Sequence, residues 1–397
     1  MPGTEWYGAE ERKEIMDVLE TGAFFRYNHE HIRNGMWKAK EFEEEVKKIT
    51  GAKYAHAVSS GSTAVACVMA AAGIGFGDEV IVPPFTYIAT IEGVLIGGGL
   101  PVFAEIDETL CLSAEGIRKV ITPKTKAVML VHMCGAAADM DGIMQVCKEH
   151  NLVLMEDAGQ AFGAFHKGKS VGLFGVAGGY SFDFFKIATA GEGGVCVTND
   201  EKVYNIMQQF SDHGHDHIGS NRGMEQHPIL GTNFRLSELH AAIGVAQTRK
   251  VPAMRDAKRA NKKYLMSRLS EIPGITFRTY PDFEGDSATF LDFFTPSTET
   301  TQKVVDQLAA DGVPFINYWF KNMYHFINQW DHIKNLSSPY KMAIHHFGAP
   351  QDYNKLDLPK TQNVIGRLIS IGMRASWTEA ERLAYADKLI ESIKKVI

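Results

Sequence analysis

No stretch of the 397 residues approaches the roughly 18 uninterrupted apolar residues that a membrane-spanning helix needs. The opening stretch, Met1 to Lys13, carries acids and lacks the apolar core of a secretory leader, so a cytoplasmic protein with no membrane association is expected. Cysteine is scarce. The five present (Cys67, Cys111, Cys134, Cys147, Cys196) sit in apolar contexts with no CxxC pair, which argues against a disulfide framework or a thiolate zinc site and for buried, reduced thiols. Positive charge is not in excess: 41 Lys and Arg stand against 47 Asp and Glu, a formal charge of -6, which disfavours a nucleic-acid partner or an anionic membrane surface. Repeats and low-complexity tracts are missing, which removes solenoids and coiled coils. What remains is a chain with 45% hydrophobic and 22% charged residues, ordinary for a folded protein and long enough for a large core with a smaller satellite.

From Tyr54 to Cys196 short β-rich apolar runs alternate with helical patterns, the mark of a largely parallel α/β sheet. The predicted strands are Tyr54 to Ser59, Glu79 to Pro83, Pro101 to Glu105, Ala127 to His132 and Leu152 to Glu156. Between them fall helices over Ser62 to Ala72, Ile88 to Leu95, Ser113 to Val120 and Met140 to His150. Runs such as Val80-Ile81-Val82 are apolar without alternation, so helices should cover both sheet faces. Ahead of this core, Glu10 to Glu20 and Lys38 to Ile49 read as amphipathic helices, the second ended by Gly51. Leu236 to Ser270 reads as a long helix interrupted near Pro252, and the domain boundary is placed there, giving a large domain over 1–250 and a small C-terminal α+β domain over 251–397. The small domain is predicted to hold strands over Ile275 to Thr279 and Ala288 to Thr295, and helices over Thr300 to Ala310 and Glu379 to Val396.

Three features carry chemistry. Ser59-Ser60-Gly61-Ser62-Thr63 follows a strand and opens a small-residue helix, so free N–H groups and hydroxyls face an anion such as phosphate; a plain serine cap uses the same residues. Leu152 to Asp157 is a buried strand ending in acids, and ligands of open α/β sheets bind beyond strand carboxyl ends, so Asp157 is either a helix cap or a partner for a cation such as a protonated ring nitrogen. Tyr180 to Lys186 is an aromatic strand that delivers a lysine into a glycine-rich loop, where apolar walls would favour the neutral, nucleophilic amine. Phosphate cup, strand-end carboxylate and delivered lysine together match pyridoxal phosphate.

The runs SSGSTA, GDEVIVPPFTYIAT, EDAGQAFGA, SFDFFKIATAGEGG and GTNFRLSELHAAIG resemble the DegT/StrS family of PLP-dependent sugar aminotransferases, from about Tyr7 to Gln247 and more loosely to the C-terminus. The resemblance implies the fold type I architecture of PLP-dependent transferases, with pyridoxal 5'-phosphate as cofactor and L-glutamate as amino donor to a keto or aldehyde sugar. It implies that Gly61, Ser62 and Thr63 hold the phosphate with help from Ser181, that Tyr87 stacks on the pyridine, that Asp157 pairs with its nitrogen, and that Gln160 meets the phenolic oxygen. Lys186 would form the Schiff base and then shuttle protons. Asn233 would reach the phosphate of the other subunit, so a homodimer with shared sites is implied. Relatives that dehydrate deoxysugars carry histidine in place of this lysine, so Lys186 favours amino transfer. Taken whole, including Thr21 to Asn34, the chain most resembles the branch of the family that aminates an 8-oxo octulosonate of lipopolysaccharide, the alternative acceptor being a nucleotide-linked 4-keto-6-deoxyhexose.

Where the family shows a Leu-Pro-rich segment before its last helix, this chain has Ile369 to Trp377, and Arg374 there is a candidate fork for a substrate carboxylate or a surface ion-pair residue. The His213-His215-His217 alternation is read as a solvated or sugar-contacting loop, with His215 as a substrate candidate and no metal expected. His345, His346 and Tyr318-Trp319-Phe320 are assigned to the small domain's core or the cleft rim.

Overall fold

The computed structural model describes residues 3–219 and 221–397; Met1 and Pro2, part of the stretch read above for a leader, lie outside them. Thirteen strands run in chain order as β1 (Tyr54–Val58), β2 (Glu79–Val82), β3 (Leu100–Phe103), β4 (Thr125–Val131), β5 (Val153–Asp157), the small hairpin β6 (Phe165–His166) and β7 (Lys169–Ser170), β8 (Gly178–Ser181), β9 (Gly194–Thr198), β10 (Thr276–Phe277), β11 (Phe290–Phe294), β12 (Ile316–Asn317) and β13 (Leu368–Gly372). The central sheet has the order β1-β9-β8-β5-β4-β2-β3, parallel except where β9 runs against both of its neighbours. Its middle strands are buried along nearly their whole length, as unalternating apolar runs require, and the segments between them are helices. A second, antiparallel sheet, β10-β11-β13-β12, lies in the C-terminal third.

The five strands predicted between Tyr54 and Glu156 form within one or two residues of their expected bounds, whereas the aromatic strand expected over Tyr180 to Lys186 ends at Ser181, so that Lys186 stands in the turn after β8. Gly51 ends the helix Lys38–Thr50 in the left-handed conformation, φ 74°, its N–H bonded to the Lys47 carbonyl. The other end of that helix lacks a cap of its own; Glu238 supplies one, accepting the N–H groups of Lys38 at 2.6 Å and Ala39 at 3.3 Å.

One further expectation needs correction. The long helix is not interrupted: it runs from Glu238 to Leu269 with Pro252 inside. Packing against the N-terminal helices Ala9–Thr21 and Lys38–Thr50 on one half, and against Glu379–Lys394 on the other, outweighs the single backbone hydrogen bond that proline removes. The aromatic segment after β12, expected in the small domain's core or at the cleft rim, joins the two sheets: Trp319 packs on Phe290 of β11. Trp319, Phe326, Trp330, Ile333 and Tyr353 are buried in the same hydrophobic cluster as β2 to β5, while His345 and His346 are exposed. The chain thus returns from the small sheet to the large one before β13, and this return forms one wall of the cleft described next.

Candidate active site

The carboxyl ends of β1, β5 and β8 open onto a cavity of about 280 Å³ lined by Ser60, Gly61, Ser62, Tyr87, Asp157, Gln160, Ser181 and Lys186. These residues lie up to 126 positions apart in the chain, and the parallel sheet gathers them because its strand ends share one edge. At the helix start, Ser60 caps by accepting the Thr63 N–H at 3.1 Å, and the Thr63 hydroxyl accepts the Ser60 N–H at 2.9 Å. Thr63 is therefore spent on the cap and does not line the cavity, which leaves the Gly61 and Ser62 N–H groups and the Ser62 hydroxyl for an anion. Gly61 is required for space: a Cβ there would lie 2.6 Å from the Ser181 Cβ on β8.

Asp157 closes β5 with both carboxylate oxygens oriented. Oδ1 accepts the Gly159 N–H at 2.9 Å, and Oδ2 accepts the Thr90 hydroxyl at 2.7 Å, itself 2.8 Å from the Thr86 hydroxyl. The Gln160 amide is oriented too: its Oε1 accepts the Cys134 N–H at 3.0 Å, so its NH2 remains for the cavity. Lys186 is not surrounded by apolar walls alone, as the sequence implied. Its Nζ lies 3.3 Å from an oxygen of Asp183, with Phe184 and Phe185 exposed beside it.

A second cavity, about 590 Å³, shares Tyr87, Gln160, Ser181, Asp183, Phe185 and Lys186 and is closed on its far side by Phe290, Asn317, Trp319, Asn322, Tyr324 and His325. That far side is the returning segment, latched to the Tyr87 turn by backbone bonds from Thr86 N–H to the His325 carbonyl and from Ile88 N–H to the Tyr324 carbonyl, each 3.0 Å. Trp319 is held from behind, its Nε1 donating to Ser370 Oγ at 2.7 Å. Burial and the Lys186 ammonium push the His325 imidazole down to about 3, so it is neutral. Of this wall the sequence offered only Trp319, as a residue of the small domain's core or the cleft rim; the others lie more than 100 positions from Lys186 in a segment without a motif. The one available signal was the density of aromatic and amide side chains from Asn317 to His325.

Three expected residues stand elsewhere. Asn233 is exposed and bridges Asp212, away from both cavities of its own chain. His215 lies in the 212–227 loop, its Nδ1 2.9 Å from Glu225 and its ring 4.1 Å from His227, with burial and Arg222 lowering its proton affinity. Arg374 points its Nε at Glu5 Oε1, 2.8 Å away, and covers the Phe315 ring, so its charge is already met and it does not line the cleft. Among the described residues no group of three or more His, Cys, Asp or Glu side chains is arranged to hold a metal, and no helix is long and apolar enough to cross a membrane.

The donor set fits pyridoxal phosphate: an amide-lined helix start, an oriented carboxylate, an amide NH2 and an amine face one cavity. Residues 8–389 match the family described as DegT/DnrJ/EryC1/StrS aminotransferases. The chain is 40% identical to the GDP-perosamine synthase of Vibrio cholerae over 264 residues, 66% of this chain and 69% of that protein. Against the spore coat polysaccharide biosynthesis protein SpsC of Bacillus subtilis it is 29% identical over 98% of its own length and 95% of the other. Among solved structures, an aminotransferase from Psychrobacter cryohalolentis superposes with a TM-score of 0.84 at 27% identity, covering 98% of both chains.

Proposed function

The chain belongs to the DegT/DnrJ/EryC1/StrS aminotransferase family, and on that premise we propose that it transfers the amino group of L-glutamate to the carbonyl of a sugar, with pyridoxal phosphate as its cofactor. The observation that carries the reading is the convergence of Lys186, Asp157, Gln160 and Ser62 on one cleft. When bound, pyridoxal phosphate supplies an aldehyde that takes up an amine and a ring that withdraws electrons from the neighbouring carbon. Gly61, Ser62 and Ser181 would hold its phosphate, and Asp157 would keep a proton on the ring nitrogen. The Gln160 NH2 would donate to the phenolic oxygen, and the Tyr87 ring, 44% exposed, would cover the pyridine. The Lys186 amine would take the aldehyde and, when free, would move a proton at the α carbon of the donor. A second copy of the chain belongs to the same proposal, with Asn233 of the partner subunit reaching the phosphate, as does a division near residue 250 into a cofactor-holding part and a part that brings the acceptor wall.

Two acceptors divide the support. The GDP-perosamine synthases among the relatives favour a nucleotide-linked 4-keto-6-deoxyhexose. The second reading is 8-oxo-3,8-dideoxy-manno-octulosonate, giving 8-amino-3,8-dideoxy-manno-octulosonate for lipopolysaccharide. It rests on the whole-chain resemblance, and on the fact that the alignments with those synthases span only 66%, 53% and 52% of this chain. Apart from Lys186, neither cavity wall of one chain carries a lysine or arginine, and a second copy is proposed to meet the anionic part of either acceptor.

The test uses purified protein with pyridoxal phosphate. Bleaching of its yellow colour by L-glutamate, followed by mass-spectrometric detection of an aminated product from GDP-4-keto-6-deoxymannose, is the expected outcome. Amination of the octulosonate alone moves the conclusion to the second acceptor, and no bleaching by glutamate overturns the donor.

A further inference from the structure

The acceptor wall contains a histidine whose tautomer the fold dictates. Asn322 Oδ1 accepts the backbone N–H of Tyr324 at 2.9 Å, which fixes the orientation of the amide, and the same oxygen lies 2.8 Å from His325 Nδ1. An oxygen that only accepts must face a proton, so Nδ1 carries the hydrogen of the imidazole. The other ring nitrogen, Nε2, makes no hydrogen bond with a described residue, and His325 lines the 590 Å³ cavity opposite Lys186. The ring is clamped by Trp319, edge-on at 4.6 Å, and by Tyr87 at 5.5 Å. Nε2 therefore carries a bare lone pair on a residue that lines the cavity where an acceptor must lie to meet the amine.

We propose that Asn322 is a positioning residue that holds His325 as a hydrogen-bond acceptor at Nε2, which selects a sugar presenting a hydroxyl there and rejects a carboxylate or phosphate at that point. The proposal rests on the aminotransferase reading above. An anion at this position would meet a lone pair and no proton, whereas a hydroxyl donates to it directly. The ionisable groups around the ring are Lys186 with its partner Asp183 on one side, Tyr87 on the second and Tyr324 on the third. Lys186 opposes a second proton on His325.

Nitrogen NMR of the histidine-labelled holoenzyme, with His325 assigned by the loss of its signal in a His325→Gln protein, reads the tautomer directly. The expected wild-type spectrum shows protonated Nδ1 and bare Nε2 from about pH 6 to about pH 9. The Asn322→Ala protein mixes the tautomers. Its KM for whichever of GDP-4-keto-6-deoxymannose and 8-oxo octulosonate the wild type aminates rises about tenfold, while bleaching by glutamate stays within about twofold. Asn322→Asp keeps the accepting oxygen but lets the ring hold a second proton, so it restores KM near pH 9 and not near pH 6. A wild-type His325 protonated at Nε2, or an Asn322→Ala protein that slows the glutamate step while leaving acceptor KM unchanged, overturns the proposal. A wild type that aminates neither sugar overturns the sugar reading alone, and the nitrogen spectrum still decides the tautomer.

Discussion

The two walls of the cleft are built by different means. The cofactor wall consists of strand ends and the turns directly after them, with Ser60 to Ser62 after β1, Asp157 ending β5, Ser181 ending β8 and Lys186 five residues on. The acceptor wall consists of a returning loop, Asn317 to His325, whose only regular structure is the end of β12 and one short 3-10 turn over Trp319–Lys321. Strand ends are fixed by the register of a buried sheet, so the groups facing the cofactor are held whatever sugar is bound. The loop is fixed by a few side-chain anchors, Trp319 on Ser370 and the Asn322 amide on Tyr324 and His325, so it can change with the acceptor while the sheet stays the same. One wall sets the reaction and the other sets its object.

The largest effect expected from breaking this division is at Lys186. Lys186→Ala should lower both half-reactions, bleaching by glutamate and amination of the sugar, by about 10³-fold or more, because the same amine moves the proton in each. Stopped-flow spectra of each half-reaction measured separately check it. A variant that loses only sugar amination would place Lys186 on the acceptor side and erase the distinction between the walls.

A smaller effect sharpens the comparison from the other wall. His325 is held neutral, its proton affinity depressed from the ordinary 6.5 to about 3 by burial and by Lys186. Below the unfolded value the unfolded chain takes up a proton that the native imidazole refuses, so stability is lost as pH falls from 6.5 towards about 3. The Phe side chain has nothing to titrate. His325→Phe should therefore flatten the stability profile across that window by roughly 1 kcal/mol per pH unit relative to the wild type, measured by urea unfolding at several pH values. His56, buried and likewise held neutral, contributes to both proteins and cancels in the difference. Parallel profiles would mean that the loop leaves His325 open to solvent.

The same contrast explains what the sequence disclosed. β2 and β5 read as continuous apolar runs because both faces are covered, and the residues at or just past the ends of β1, β5 and β8 line the cleft, so Ser62, Asp157 and Lys186 were readable together with their order on the sheet. Asp183, Thr86 and Thr90 were not singled out, although they orient Lys186 and Asp157, because a carboxylate three residues before a lysine and two threonines four apart are ordinary patterns until the sheet brings them inward. The acceptor wall was read only as core or cleft rim, and Asn317, Asn322, Tyr324 and His325 were not singled out. An aromatic run such as Tyr318-Trp319-Phe320 has the composition of any core, and only the tertiary path shows that Trp319 joins the cluster of β2 to β5 while it is held by β11 and β13. Pro252 misled for a related reason: a local helix breaker was overruled by packing that no local pattern records.

The smallest expected effect concerns Arg374, which the sequence offered as an anchor for an acidic substrate. Its side chain is 28% exposed, its Nε lies 2.8 Å from Glu5, and it lines neither cavity. Because the pair is open to solvent on the arginine side, the charge attraction is screened, and Arg374→Gln should cost about 1 kcal/mol or less in stability. KM for glutamate and for the sugar should both stay within about twofold, since nothing that touches either substrate is removed. Steady-state kinetics and urea unfolding of the same protein check both halves. A tenfold rise in either KM with unchanged stability would mean that Arg374 leaves Glu5 for a substrate carboxylate when the cleft is filled, and the boundary between scaffold and acceptor wall would then have to be drawn through β13 rather than beside it.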